Sequence, residues 1–337
     1  MAAANEATMQ ASLDIGYNTP VPPTSVLPFI TEGLVSGAVY AADPANVGSK
    51  TSGKPLYQGS KPNGPINLLL TPEEFGLIMG WCMGTELAVA DVVGSVGGKK
   101  HTFIPGLFGA GTRPPSISVI KSMAGQGYQR FIGLQVVSWT LTLNPNDNVT
   151  LDVTTRGVFE SDEADAGTLY PTFVFNIALI PTALEPYKMC GATLKIDGLT
   201  FQNIDTLTIN YDNSLTDYGN GPDGTCNVRD NQYGERIPTA NFTAQLDTAS
   251  YALRRDKFQK QAQVSVELIL DSGQEYETDY NYIANFLMPG ARFTVCDTIV
   301  PDTGQITMTA TLQAWALAGQ EALTVTHDDL QATKYIP

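Results

Sequence analysis

Among 337 residues there are two histidines, four cysteines, and 19 lysines and arginines against 34 aspartates and glutamates. Each shortage excludes a class of function. A formal net charge of −15 with no basic block argues against gripping nucleic acid through its phosphates. No apolar run reaches the roughly 18 residues of a membrane-spanning helix. The stretch Met1 to Ser12 has neither a basic nor an apolar segment, so no secretory signal is expected there. Cys82, Cys190, Cys226 and Cys296 are far apart and form no C-x-x-C pair, so they read as buried thiols rather than a disulfide framework or zinc site. His101 and His327 are distant in sequence, and His327 with Asp328 and Asp329 reads as a solvated face. G-x-S-x-G and H-E-x-x-H are absent. No cofactor, metal or catalytic residue is expected.

Two glycine patterns fail on context. Gly48 to Lys54 has the G-x-x-x-x-G-K spacing of a phosphate loop. Pro55 stands where a magnesium-binding hydroxyl belongs, and no apolar strand precedes it. Gly219-x-Gly221-x-x-Gly224 lies in a polar stretch with no helix after it. The sequons at Asn148 and Asn241 have no secretory context.

What is present is β patterning. Charged residues are 16% of the chain and hydrophobic residues 43%, so polar faces must be built largely from neutral side chains. Trp139, Leu141 and Leu143 alternate with Ser138, Thr140 and Thr142 in the run Phe131 to Leu143. After the turn at Asn144 to Asn148, Leu151 and Val153 alternate with Thr150, Asp152 and Thr154. Period-2 alternation of this kind marks an antiparallel hairpin with one buried face. Trp139 and Trp315 read as core anchors. Further strands are expected at Lys100 to Pro105, Ser116 to Lys121, Thr193 to Ile196, Thr206 to Asn210, Asn241 to Asp247, Gln263 to Leu270, Arg292 to Asp297 and Ile306 to Leu317. One strand is expected within Ile30 to Ala41 and a short helix at Tyr280 to Phe286. The best helix runs from Thr71 to Gly84. Thr71 caps it, Pro72 and the acids Glu73 and Glu74 suit its first turn, and Gly84 ends it.

Phe131 to Phe159 and Ala291 to Leu317 share a plan of strand, short turn and threonine-rich strand, which suggests a duplicated β domain. Strands with polar outer faces and exposed edges suit a chain that completes its sheet with neighbours. The residues alone lead to a β-rich chain suited to assembly, with no sign of catalysis.

Four segments resemble the tail tube (major tail) proteins of long-tailed, non-contractile bacteriophages. They are Asp14 to Leu34, the helix from Leu70 to Gly84, the hairpin from Gln129 to Gly157, and Ile204 to Asn213 followed by Glu235 to Gln245. The resemblance implies a mainly β chain of two tandem tube-type β-sandwich or split-barrel domains with short flanking helices. It divides the chain into a first domain at 1–165, with a Pro-rich arm and a long loop at 41–65, a linker at 166–190, and a second domain at 191–337. It implies a virion protein, assembled in the host cytoplasm, whose copies form trimeric pseudo-hexameric or hexameric rings closed as a β-barrel. The rings stack, meet other tail proteins at the tube ends, and let DNA pass an acidic lumen without specific binding. On this reading Thr140, Thr142, Thr150, Asp152, Thr154, Thr307, Thr309, Thr311 and Gln313 face the lumen. Lys50, Lys54 and Lys61 belong to a ring-stacking loop. The alternatives to this reading are a β-rich virion decoration or fibre protein and a carbohydrate-binding β-sandwich.

Overall fold

The computed structural model describes residues 7–16, 19–41, 56–106, 114–123, 127–161, 171–179, 184–201, 203–217, 231–232, 234–300 and 304–336. The first half contains β1 (Thr8–Leu13), β2 (Ser25–Val26), β3 (Phe29–Glu32), the hairpin β4 (Ala38–Ala41) and β5 (Leu56–Ser60), β6 (Asn63–Leu69), α1 (Pro72–Met83), β7 (Gly84–Glu86), β8 (Ala90–Asp91), β9 (Lys99–Pro105), β10 (Ile117–Ser122), β11 (Tyr128–Leu143), β12 (Thr150–Arg156) and β13 (Phe159–Ser161). The second half contains β14 (Ala192–Ile196), β15 (Leu199–Phe201), β16 (Ile204–Asp212), the hairpin β17 (Thr216–Asp217) and β18 (Asn231–Gln232), β19 (Thr239–Gln245), α2 (Thr248–Leu253), β20 (Val264–Glu277), β21 (Tyr280–Ile299), β22 (Thr307–Ala314) and β23 (Thr324–Asp329).

One pairing order occurs twice. In the first half it is β2-β1-β10-β11-β12-β6-β3, with β13 on the other side of β11. In the second half it is β15-β14-β20-β21-β22-β19-β16, with β23 on the other side of β21. In each half a long strand, β11 or β21, bends from an outer sheet into an inner one. The inner sheet is continuous across the halves because β11 pairs with β16, from Ser138↔Asp212 to Leu143↔Leu207. Its eight strands run β3-β6-β12-β11-β16-β19-β22-β21. The sheet is open rather than closed. Among the described residues, one edge is β3 and the other is the 292–299 stretch of β21.

A single apolar core fills the space between inner and outer sheets and spans both halves, from Met9 and Ala11 to Leu323 and Val325. Alternation puts it there: Trp139, Leu141, Leu151 and Val153 point inward from the hairpin and are essentially fully buried. Part of the 166–190 stretch also packs. Phe173 is buried against Ile120 and Ile132 on the outer sheet, and Tyr187 is buried in the main core.

The α1 helix has the expected bounds, with Gly84 left-handed at φ 97° and its N–H bonded to the Gly80 carbonyl. Its surroundings differ from expectation. Every residue except Glu73 is buried, because the helix is covered on a second side by the C-terminal segment. A Cβ on Gly76 would stand 2.0 Å from the Tyr335 ring, and one on Gly80 2.9 Å from Ile336. Thr71 Oγ1 donates to Glu74 Oε2 at 2.7 Å instead of accepting from the helix backbone.

Other expectations are corrected. Ile30 to Ala41 holds two strands, not one, broken near Gly33 and Gly37; Gly37 has φ 59°. Tyr280 to Phe286 is the start of the 20-residue β21, not a helix. There Ala284, Phe286 and Met288 alternate toward the core, and β20 and β23 flank them. The second helix is α2, whose Asp247 and Ser250 form a reciprocal capping box. Cys82 and Cys296 are buried, but Cys190 is exposed. Cys226 lies outside the described residues. Trp139 is 1% exposed, whereas Trp315 is half-buried, with the Arg292 guanidinium 5.6 Å from its ring centre.

Candidate functional site

The outward face of the inner sheet collects the polar residues of both halves. Strand register defines its rows. One row crosses Asn67, Asp152, Thr140, Asn210, Thr239 and Gln313. A second crosses Thr150, Thr142, Thr208, Asn241 and Thr311. A third crosses Thr206, Thr243, Thr309 and Asp297. All nine residues assigned to one face by alternation alone, Thr307 and Thr154 included, have the parity of this single surface. Lateral bonds tie it together. Asn67 Nδ2 donates to Asp152 Oδ1, and Thr140 Oγ1 donates to Asn210 Oδ1 at 2.9 Å.

The chemistry of these rows is mostly hydroxyl and amide. Two carboxylates, Asp152 and Asp297, stand in them, and the first row ends on β21 at the exposed Arg292, opposite Gln313. Such a face offers hydrogen bonds at every step and few charges, its one cation in these rows, Arg292, lying beside the Trp315 ring at the sheet edge. Side-chain parity made the face legible in sequence. Its continuity across the halves was not, because it depends on the β11–β16 pairing.

The proposed stacking loop is less visible. Lys50 and Lys54 lie outside the described residues, as do the glycine pattern at 219–224 and the acidic residues at 162–165. Lys61 lies two residues before β6, and its backbone N–H donates to the Gly37 carbonyl at 3.1 Å.

A second polar constellation is buried. Strand β23 lies between β21 and β9, which sets His327 opposite His101. Both rings are 0% exposed, so the solvated-face reading of His327 is overturned. His101 Nδ1 is 2.6 Å from Glu86 Oε1, and its Nε2 is 3.1 Å from Asp329 Oδ1. The C-terminal segment closes over the pair. Tyr335 OH donates to Asp329 Oδ2 at 2.6 Å, and the Tyr335 and Ile336 N–H groups donate to Glu86 Oε2 at 2.7 and 3.0 Å. Burial alone would lower the His101 pKa, but its bonds to Asp329 and Glu86 overcome that and raise it to about 9. His327, by contrast, is pushed down to about 4 by burial. The cluster is a charged clamp holding the chain end onto α1.

A continuous polar wall backed by one core, with open strand edges, defines a structural β protein built to associate. The family model for phage tail tube proteins matches residues 2–314. The chain belongs to that family and is a structural tail tube protein of the virion tail. No curated protein gives a significant match.

Proposed function

We propose that three copies form each ring of the tube, with the hydroxyl-and-amide face of the inner sheet lining the lumen. The eight-stranded inner sheet carries this reading. Strands spaced about 4.8 Å apart and tilted about 40° close into a barrel about 48 Å across when there are 24 of them. Side chains then leave a bore of roughly 35–40 Å, enough for a duplex roughly 20 Å wide. Six such chains would double the diameter. Three chains per ring also agree with the duplicated pairing order, each half acting as one tube-type unit (1–165 and 191–337, joined by 166–190). The expected image of assembled particles is a hollow tube whose end views show three identical chains in six lobes. Rings of six full chains would overturn the count.

The lumen passes DNA without holding it. A mostly neutral polar wall with few cations, in a chain of net charge −15, repels phosphates within a Debye length of about 8 Å. Replacing Asp152 with lysine puts three cations into each ring. Tubes should still form, because the lost bond from Asn67 to the Asp152 carboxylate contributes only about 1.5–3 kcal/mol. DNA release from particles carrying the change should slow. An unchanged release rate would remove Asp152 from the wall. The 41–65 segment, with Lys50, Lys54 and Lys61, remains the proposed contact between successive rings, although it is not one long loop: 56–60 is β5, paired with β4, and β6 starts at 63. Other tail proteins would meet the tube ends. Assembly in the host cytoplasm belongs to the same reading.

A further inference from the structure

We propose that the two free edges of the inner sheet pair with each other between copies, β21 of one chain against the β3 segment of the next, in the register that β11 and β16 already use within the chain. The inference rests on the tube reading and adds the interface and its register.

The halves correspond residue by residue. Register slips between Ile204 and Thr206 on β16 opposite β19, and between Phe29 and Thr31 on β3 opposite β6. It slips between Val136 and Ser138 on β11 opposite β12, and between Phe293 and Val295 on β21 opposite β22. A third slip is shared by β10–β11 and β20–β21. Bulges fix register, so three coincident bulges leave one alignment. It equates Thr31 with Thr206, Val35 with Asn210, Ser138 with Val295 and Thr140 with Asp297. The bridge Val35↔Asn63 beside β3 falls where Asn210↔Thr239 falls beside β16.

Of the two equivalent junctions, only one is satisfied within the chain. Thr140 faces Asn210 across β11–β16. The counterpart would set Asp297 opposite Val35, Thr298 opposite Leu34 and Ile299 opposite Gly33. Instead, neither edge has a strand partner among the described residues. Side chains hold single backbone groups there, Arg254 Nε on the Cys296 carbonyl and Glu32 Oε2 on the Leu34 N–H. Each edge exposes apolar side chains, Ile299 at 55% and Val295 at 41% on one, Val35 at 54% and Ile30 at 50% on the other. An open edge with exposed apolar residues is a template for another strand. The two edges are different surfaces of one chain, so the contact is head-to-tail and generates a ring when the rotation closes.

The test is a cysteine pair, Val35→Cys with Asp297→Cys, in a chain with Cys190 and Cys226 changed to serine. Directly opposed residues place their Cβ atoms about 4.5–5.5 Å apart, near disulfide range, whereas a two-residue offset gives about 7–8 Å. Mild oxidation of assembled tubes should yield covalent species ending at three chains. Val35→Cys with Val295→Cys should yield roughly tenfold less. Tubes in which the opposed pair stays unlinked, or in which the offset pair links better, would overturn the register. If the double variant does not assemble, an equimolar mixture of the two single variants should give covalent dimers, and their absence from assembled tubes overturns the pairing equally. Failure of the unmodified chain to form rings or tubes under any assembly condition would instead overturn the tube reading itself.

Discussion

His101→Ala is expected to destabilise the chain by about 3–5 kcal/mol, because removing one partner of a buried ionic cluster leaves the others uncompensated. Here Glu86 and Asp329, 5% and 4% exposed, would face each other's charge without the imidazolium between them. The C-terminal segment hangs on the same atoms through Lys334, Tyr335 and Ile336, so it should detach from α1 and open protease sites there. The dependence on pH gives the clamp a signature. A histidine whose pKa is raised from 6.5 to about 9 contributes stability that is fully present below pH 6.5 and lost as pH rises through 9. Glu74 and Asp14, pushed up by burial to about 7 and about 6, act in the same direction, since their charged forms are disfavoured in the fold. Their loss falls at lower pH, between the ordinary carboxylate range and about 7. Asp329 acts oppositely. Burial would raise its pKa, but the His101 bond holds it below the ordinary range, so its contribution is lost in acid. Denaturant melts at pH 6, 8 and 10 should show falling stability across the alkaline step, and His101→Ala should flatten that step. An unaltered alkaline slope in the variant would mean that His101 is not the titrating group.

That clamp was invisible in the sequence. Its members lie at 86, 101, 329 and 335, and only the antiparallel register of β9 with β23 brings them together. Short-range signals fared better. The cap, first-turn acids and terminal glycine of α1 act within a few residues, as does the alternation that made β11 and β12 readable. Expectation failed where local signals conflicted with pairing. Tyr280 to Phe286 has too short a pattern to separate helix from strand, and its flanking strands decide it. The second helix has a local signal of its own, the reciprocal Asp247–Ser250 capping box, but its six residues are too few for an apolar period to mark it. The duplication was glimpsed in one hairpin plan, but its extent was hidden. Equivalent positions hold different residues, Trp139 against Cys296 and Asn67 against Thr243, while pairing order and bulges are kept. A polar face needs only parity, so its members were identifiable; which strands stand beside them is a long-range fact.

The largest packing effect is expected at that same Trp139. It stands opposite Tyr211 in the junction that joins the halves of the inner sheet. The two rings stack with centres 5.4 Å apart and planes 21° from parallel, and Phe286 of the long β21 lies 6.4 Å away. Trp139→Ala removes a fully buried aromatic from three elements at once and should cost about 3–5 kcal/mol. Trp139→Phe should cost less than about 1.5 kcal/mol, because it keeps an aromatic against Tyr211 and removes a buried indole N–H that has no hydrogen-bond partner. Cys296 holds the equivalent place in the second half, where its sulfur contacts Met308 and its carbonyl, on an edge with no strand partner among the described residues, accepts from Arg254 Nε at 3.1 Å. Cys296→Ala removes one sulfur atom and should cost about 1 kcal/mol. Chemical denaturation of the three variants, compared at one pH, checks the order. A Trp139→Ala cost no larger than that of Cys296→Ala would mean the halves are held together elsewhere. The expected order instead makes the internal junction a strong contact fixed by one aromatic pair, and leaves the equivalent contact at the free edge weak enough to form only when another copy arrives.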